Sequence, residues 1–162
     1  MKTTIFALGI MLLATACNDD KVAFPETTEA TLAVTGVNPV EFRTALLAFG
    51  DVEITADGQQ LPATVDKALA DLAKGEELSL RLPVPENAQQ IEVRIAFDQY
   101  GGFDAGRYAG HIDTRGTMMK FVVPARELID GGKAVVQLDL GRSLAGVDPE
   151  RLTLLPQYTV HY

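Results

Sequence analysis

Ile91-Glu92-Val93-Arg94-Ile95-Ala96-Phe97-Asp98 is the stretch from which the fold is read. Ile91, Val93, Ile95 and Phe97 recur at a period of two, while Glu92, Arg94 and Asp98 fall on the other side. One face is apolar and one is wet, the pattern of an antiparallel strand lying on a core. The same alternation appears on both sides of this stretch. It runs through Leu32 and Val34, Val52 and Ile54, Leu78 to Val84, Met119 to Val123, Ala134 to Leu140, and Leu152 to Val160. Strand patterns spaced about ten residues apart, punctuated by Gly131-Gly132, Gly141 and Asp148-Pro149, predict an all-β fold: an antiparallel β-sandwich of about seven to nine strands. Gly50 is expected to mark a bulge or a break, and Asp57-Gly58 a tight turn. One short helix is expected, capped by Thr64 or Asp66, with Val65, Leu69 and Leu72 on one face and Gly75 as its stop.

The 162 residues suit one domain, and 47% apolar residues are too many for a chain disordered throughout. Fourteen basic against twenty-two acidic residues give a formal charge of −8, with no basic run to neutralise a row of phosphates. No nucleic acid partner is expected.

The first residues have the three parts of an export signal. Lys2 supplies the charge, Ile5 to Leu13 form an apolar run too short for a spanning helix of about 20 residues, and Ala14-Thr15-Ala16 are small. Leu13-Ala14-Thr15-Ala16-Cys17 resembles the lipobox of bacterial lipoproteins, with Leu13 one place earlier than their usual Leu. The resemblance implies that residues 1–16 are a lipoprotein signal peptide and that Cys17, the only cysteine, carries the lipid. It also implies attachment to the bacterial cell envelope, with the outer membrane expected because Asn18 stands where an inner-membrane retention Asp occurs in some relatives of that class. Two or three acyl chains, at about 0.8 kcal/mol per buried CH₂, anchor durably. Cleavage leaves thirteen basic against twenty-two acidic residues, a formal charge of −9. Residues 17–29 are polar and without periodicity, which predicts a flexible acidic stalk, with the β-sandwich domain over residues 30–162.

A second resemblance spans most of residues 30 to 160. Val65 to Leu72, Leu82-Pro83, Ile91 to Ile95, Leu138-Asp139-Leu140 with Ser143, and Leu154-Leu155-Pro156 are similar to an uncharacterised domain of bacterial lipoproteins. Those proteins carry Asp-Leu-Leu, Ile-Arg-Leu and closing Leu-x-Pro segments. The resemblance implies a β-sandwich and no particular activity.

The chemical inventory is short. Gly141 to Gly146 misses the spacing of a nucleophile elbow around Ser143, so a Ser bonded to loop backbone is the expected role. His111 and Asp113 share a strand face, but a zinc site needs a third ligand, and no motif supplies it. No metal, cofactor or catalytic residue is expected. The candidate binding loop is Asp98 to Gly110, where four glycines accompany Asp98, Tyr100, Phe103, Asp104, Arg107 and Tyr108. Glycines beside aromatic faces and planar donors suit a grip on a glycan or an envelope protein. The reading preferred over that grip is a hairpin whose aromatics, Phe103 and Tyr108 above all, fold back to cap the open sandwich end. The function expected is a lipid-anchored binding or assembly module, not an enzyme. Its rivals are a hydrolase using Asp98, Asp104 and Glu92, and a structural subunit pairing through a free strand edge.

Overall fold

The computed structural model describes residues 26–162, so the expected signal peptide, Cys17 and the expected stalk up to residue 25 lie outside the described residues. Among the described residues, fourteen strands form two sheets packed face to face. In the first, β1 (Thr27–Val37) is central, flanked by β6 (Glu77–Pro85) and β11 (Lys133–Asp139), with β4 (Thr64–Lys67) and β14 (Tyr158–His161) at the edges. The second is built on β2 (Thr44–Ala56). Along one side of β2 lie β7 (Gln90–Phe97) and then β8 (Tyr100–Asp104), and next to them β9 (Ala109–Asp113) and β10 (Met118–Pro124). The sheet continues from β9 through β13 (Arg151–Leu154) to β12 (Leu144–Asp148). Along the other side of β2 run β3 (Gln59–Gln60) and β5 (Leu69–Asp71).

The alternating faces meet as the sequence implies. Ile91, Val93, Ile95 and Phe97 of β7 are buried with Leu47 and Ile54 of β2, opposite Leu32, Leu78, Leu80, Leu82, Val136 and Leu138. Glu92 is exposed, and Arg94 reaches Glu53 at 3.2 Å across the outer face. Asp57 (φ 46°) and Gly58 (φ 85°) form the expected two-residue turn between β2 and β3, and the register shift between Phe49 and Val52 places a bulge at Gly50.

Four details differ from the expectation. Two pairings are parallel, β1 with β11 and β9 with β13, because the chain crosses between sheets before each later strand arrives. The strand number exceeds seven to nine because long apolar stretches are interrupted. β7 and β8 are separated where the buried Thr114 hydroxyl donates to the Asp98 carbonyl, and β9 and β10 by the turn from Thr114 to Thr117.

The expected helix is strand instead. Val65 and Leu69 are exposed, so the spacing of four and three marks no buried face; the backbone of β4 pairs with β6, and that of β5 with β2. Sheet edges outcompete a weak local preference. Only a single 3-10 turn, Leu72–Lys74, survives, closed by Gly75 at φ 75°. Asp71, just before it, is buried; burial pushes its carboxyl up, but the Lys74 ammonium and the Ala45 N–H outweigh this and hold it below the usual range. The seven-residue helix is α1 (Ala125–Gly131), with Leu128 buried and Gly132 in the left-handed region as its stop; a one-turn helix, α2 (Leu140–Ser143), follows β11. Finally, β1 starts at Thr27, so the last three residues of the expected stalk belong to the sheet.

Both open sides of the sandwich are covered. On one, the chain leaves the second sheet after β3, pairs with the first as β4, and returns as β5. On the other, the Tyr158 hydroxyl of β14 donates to the Lys120 carbonyl (2.8 Å) and accepts its N–H (3.1 Å), while its ring meets Phe121 edge-on. The edge of β10 is thus occupied at its middle.

Glycine matters most where β13 enters. A Cβ on Gly110 would collide with the Glu150 carbonyl, which accepts the His111 N–H at 3.0 Å. Backbone cannot yield as a flexible side chain would. Gly110→Ala is therefore expected to detach β13 from β9, lowering the urea midpoint and removing hydrogen-exchange protection at His111; an unchanged midpoint with protection retained contradicts this.

Candidate functional site

The connections define two ends. At the entry end the Glu26 carbonyl accepts the Glu86 N–H, and β1 then runs from Thr27 to Val37; the loop 38–43 leads into β2 at the second, far end. The hairpin of β8 and β9 turns at the same far end, since Arg43 N–H donates to the Asp104 carbonyl.

On the outer face of this far half, neighbouring strands align Leu46, Gly102, His111 and Arg151 in one row, with Tyr100, Asp113 and Thr153 in the next. Their sequence neighbours Leu47, Phe103 and Ile112 point into the core. Tyr100, His111, Asp113, Arg115 and Arg151 surround a shallow depression of about 620 Å³, within the range of small-ligand sites. Gly102 contributes no side chain to the face beneath it.

Asp113 organises the group. Its Oδ1 accepts from Arg115 Nε (2.9 Å), and its Oδ2 from Arg115 Nη2 (2.6 Å) and Arg151 Nη2 (2.8 Å). The hydrogen bonds from Arg115 and then Arg151 hold the Asp113 carboxyl well below the usual carboxylate range, and Asp113 in turn raises Arg115. The Arg115 guanidinium lies 5.4 Å from the centre of the Tyr100 ring. Two planar cations, one carboxylate and one aromatic ring leave a single excess positive charge in a fixed arrangement.

The candidate loop is divided by this geometry. Tyr100 lies on the depression, whereas Arg107 and Tyr108 line a second groove at the hairpin tip with Val40, Phe42 and Arg43. Phe103 is 5% exposed and packs edge-on against Phe42 at 6.3 Å, so it is a core residue. Tyr108 is 54% exposed, as is Tyr100; the expected cap is therefore Phe103 alone, because the tip turns Tyr108 outward. Asp98 and Asp104 accept N–H bonds from Gln99 and Gly106 and shape their own turns. Glu92, Asp98 and Asp104 stand six residues apart along one extended stretch, roughly 20 Å per interval, so they form no hydrolytic pair.

Ser143 is buried, its Oγ accepting the Gln157 N–H at 2.8 Å, which ties α2 to the last turn. His111 and Asp113 do share a face, but Asp113 is committed to the two arginines, and among the described residues no three metal-ligating side chains cluster. Arg115 and Arg151 are the members of the site that alternation in the sequence did not single out. Arg115 is signalled only by its place in the turn after Asp113, and Arg151 arrives from a strand paired in parallel. No family model, no curated protein and no solved structure matches the chain.

Two outcomes follow from this geometry. Phe103→Ala should cost about 3–5 kcal/mol in denaturant unfolding, whereas Tyr108→Ala should cost less than about 0.5 kcal/mol; equal losses would restore Tyr108 to the cap. Asp113, depressed in the folded state, contributes stability in full above its ordinary value of 3.8 and loses it as pH falls below that. The stability gap between the wild type and Asp113→Asn, measured by urea titration, should therefore narrow from pH 6 to pH 2.5, and a gap independent of pH contradicts the pairing.

Proposed function

We propose that this protein is a lipid-anchored binding module of the bacterial cell envelope, held at Cys17 and recognising its partner through the outer face around Tyr100 and Arg151. The observation that carries the reading is the position of that face, in the half of the sandwich remote from Glu26, where the chain enters the domain. The lipobox resemblance supports the anchor. Eight residues lie between Cys17 and Glu26, a span that reaches at most about 30 Å, so the entry end is the one turned to the membrane. Donors on a paired sheet are preorganised, which lowers the ordering cost of binding. Asp113 is the one carboxylate lining the depression and is committed to two arginines, so the lining offers no pair of carboxylates for hydrolysis, which favours binding.

Two measurements test the reading. Labelled palmitate should mark the full chain and not Cys17→Ser, whose leader should stay uncut; equal labelling overturns the anchor. The lipidated chain should retain solubilised envelope material, with retention falling in Tyr100→Ala and Arg151→Gln but not in Glu92→Gln, which lies on the membrane-side half. Equal retention by all four chains overturns the recognition face.

A further inference from the structure

The depression narrows its own ligand. Arg151 commits one of its five N–H donors to Asp113 and is otherwise turned to solvent, while Arg115 is held in a two-point pair with the same carboxylate. Asp113 neutralises one guanidinium, so the pair retains one positive charge in a chain whose net charge is −8. A planar fork with free donors matches a carboxylate in two-point contact. Beside it stands the half-exposed ring of Tyr100, fixed by Arg115 at 5.4 Å. The strands beneath are internal to the sheet: β8 lies between β2 and β9, and β9 between β8 and β13. Their backbone groups are engaged in ladders, so a peptide cannot be added here as a further strand. A ligand on this face is held by side chains alone.

We infer that the depression binds an acidic saccharide, its carboxylate taken by Arg151 and its ring lying beside Tyr100. This rests on the recognition face proposed above and names its ligand class. The sugar's hydroxyls find donors and acceptors at His111 and the Arg115 edge, and its ring C–H face finds the aromatic surface.

The test titrates the full chain with trigalacturonate, with its methyl ester and with a triglutamate peptide, following heat and the Arg151 Nε–H and Tyr100 resonances. Trigalacturonate should bind, and its ester about tenfold more weakly, because one charge-assisted contact is lost. Arg151→Gln should weaken the acid about tenfold and leave the ester unchanged, whereas Tyr100→Ala should weaken both. The urea midpoint of Arg151→Gln should stay at the wild-type value, since Asp113 keeps both contacts to Arg115. Equal affinity for acid and ester overturns the carboxylate assignment, and triglutamate binding as tightly as the saccharide overturns the ligand class. If none of the three probes shifts Arg151 or Tyr100, the saccharide is excluded, and persistence of the envelope-retention loss in the same variants then leaves the recognition face standing with another ligand.

Discussion

The antiparallel pairing of β2 with β7 and β8 is the constraint on which the rest depends. Thirteen residues of β2 align the buried faces of two successive strands, and a shift of one residue would turn Ile91, Val93 and Ile95 to water together with Phe103. That register also fixes the outer face, because Gly102 and Tyr100 occupy the positions between inward side chains. The fold thus sets the site's composition by alternation alone. The sides of the sandwich are protected by different means. Backbone is used on one, where β4 joins the first sheet and Arg81 spans Asp66 and Glu29. A tyrosine hydroxyl is used on the other, and its two bonds to Lys120 disfavour a structural subunit that pairs through the middle of β10.

Asp113 has a different task from the core. Exposed ion pairs contribute little to stability, commonly below about 1 kcal/mol, because water and salt screen them and two long side chains must be ordered. The value of the Arg115–Asp113–Arg151 group therefore lies in orientation. Three charge-assisted bonds converge on one carboxylate, and the arginines come from a turn and from a strand distant in sequence. Without Asp113 two guanidinium groups would repel each other across the depression. With it, one is fixed against Tyr100 while the other presents its donors outward.

Much of this architecture is legible in the chain, and the failures have identifiable causes. The period-two faces of β6, β7, β10 and β11 read directly, as did Asp57-Gly58 and Gly75, since a positive φ leaves a mark in residue choice. Residues 64–72 misled because Val65, Leu69 and Leu72 also fit a helical face; what decides the segment is the unpaired backbone of β2 and β6, which no local window contains. In the site, Tyr100 stood out by its aromatic ring among glycines. Its association with Arg151 did not, because parallel pairing of β9 and β13 joins residues some forty positions apart without a connecting hairpin. Proximity in sequence groups Tyr108 with Phe103, but the turn between β8 and β9 separates their directions.

Gly110 links the fold to the depression. The Glu150 carbonyl occupies the space where a side chain on residue 110 would begin, and its bond to the His111 N–H starts the parallel pairing that sets Arg151 beside His111. A residue with no side chain therefore determines where the free guanidinium stands. Because Arg151 is positioned by a ladder and not by a loop, its donors approach a ligand with little further ordering, whereas the exposed groove at Arg107 and Tyr108 rests on a turn with fewer backbone restraints. That difference in rigidity, more than the number of aromatic residues, is the physical ground for proposing recognition on the sheet face and not at the hairpin tip.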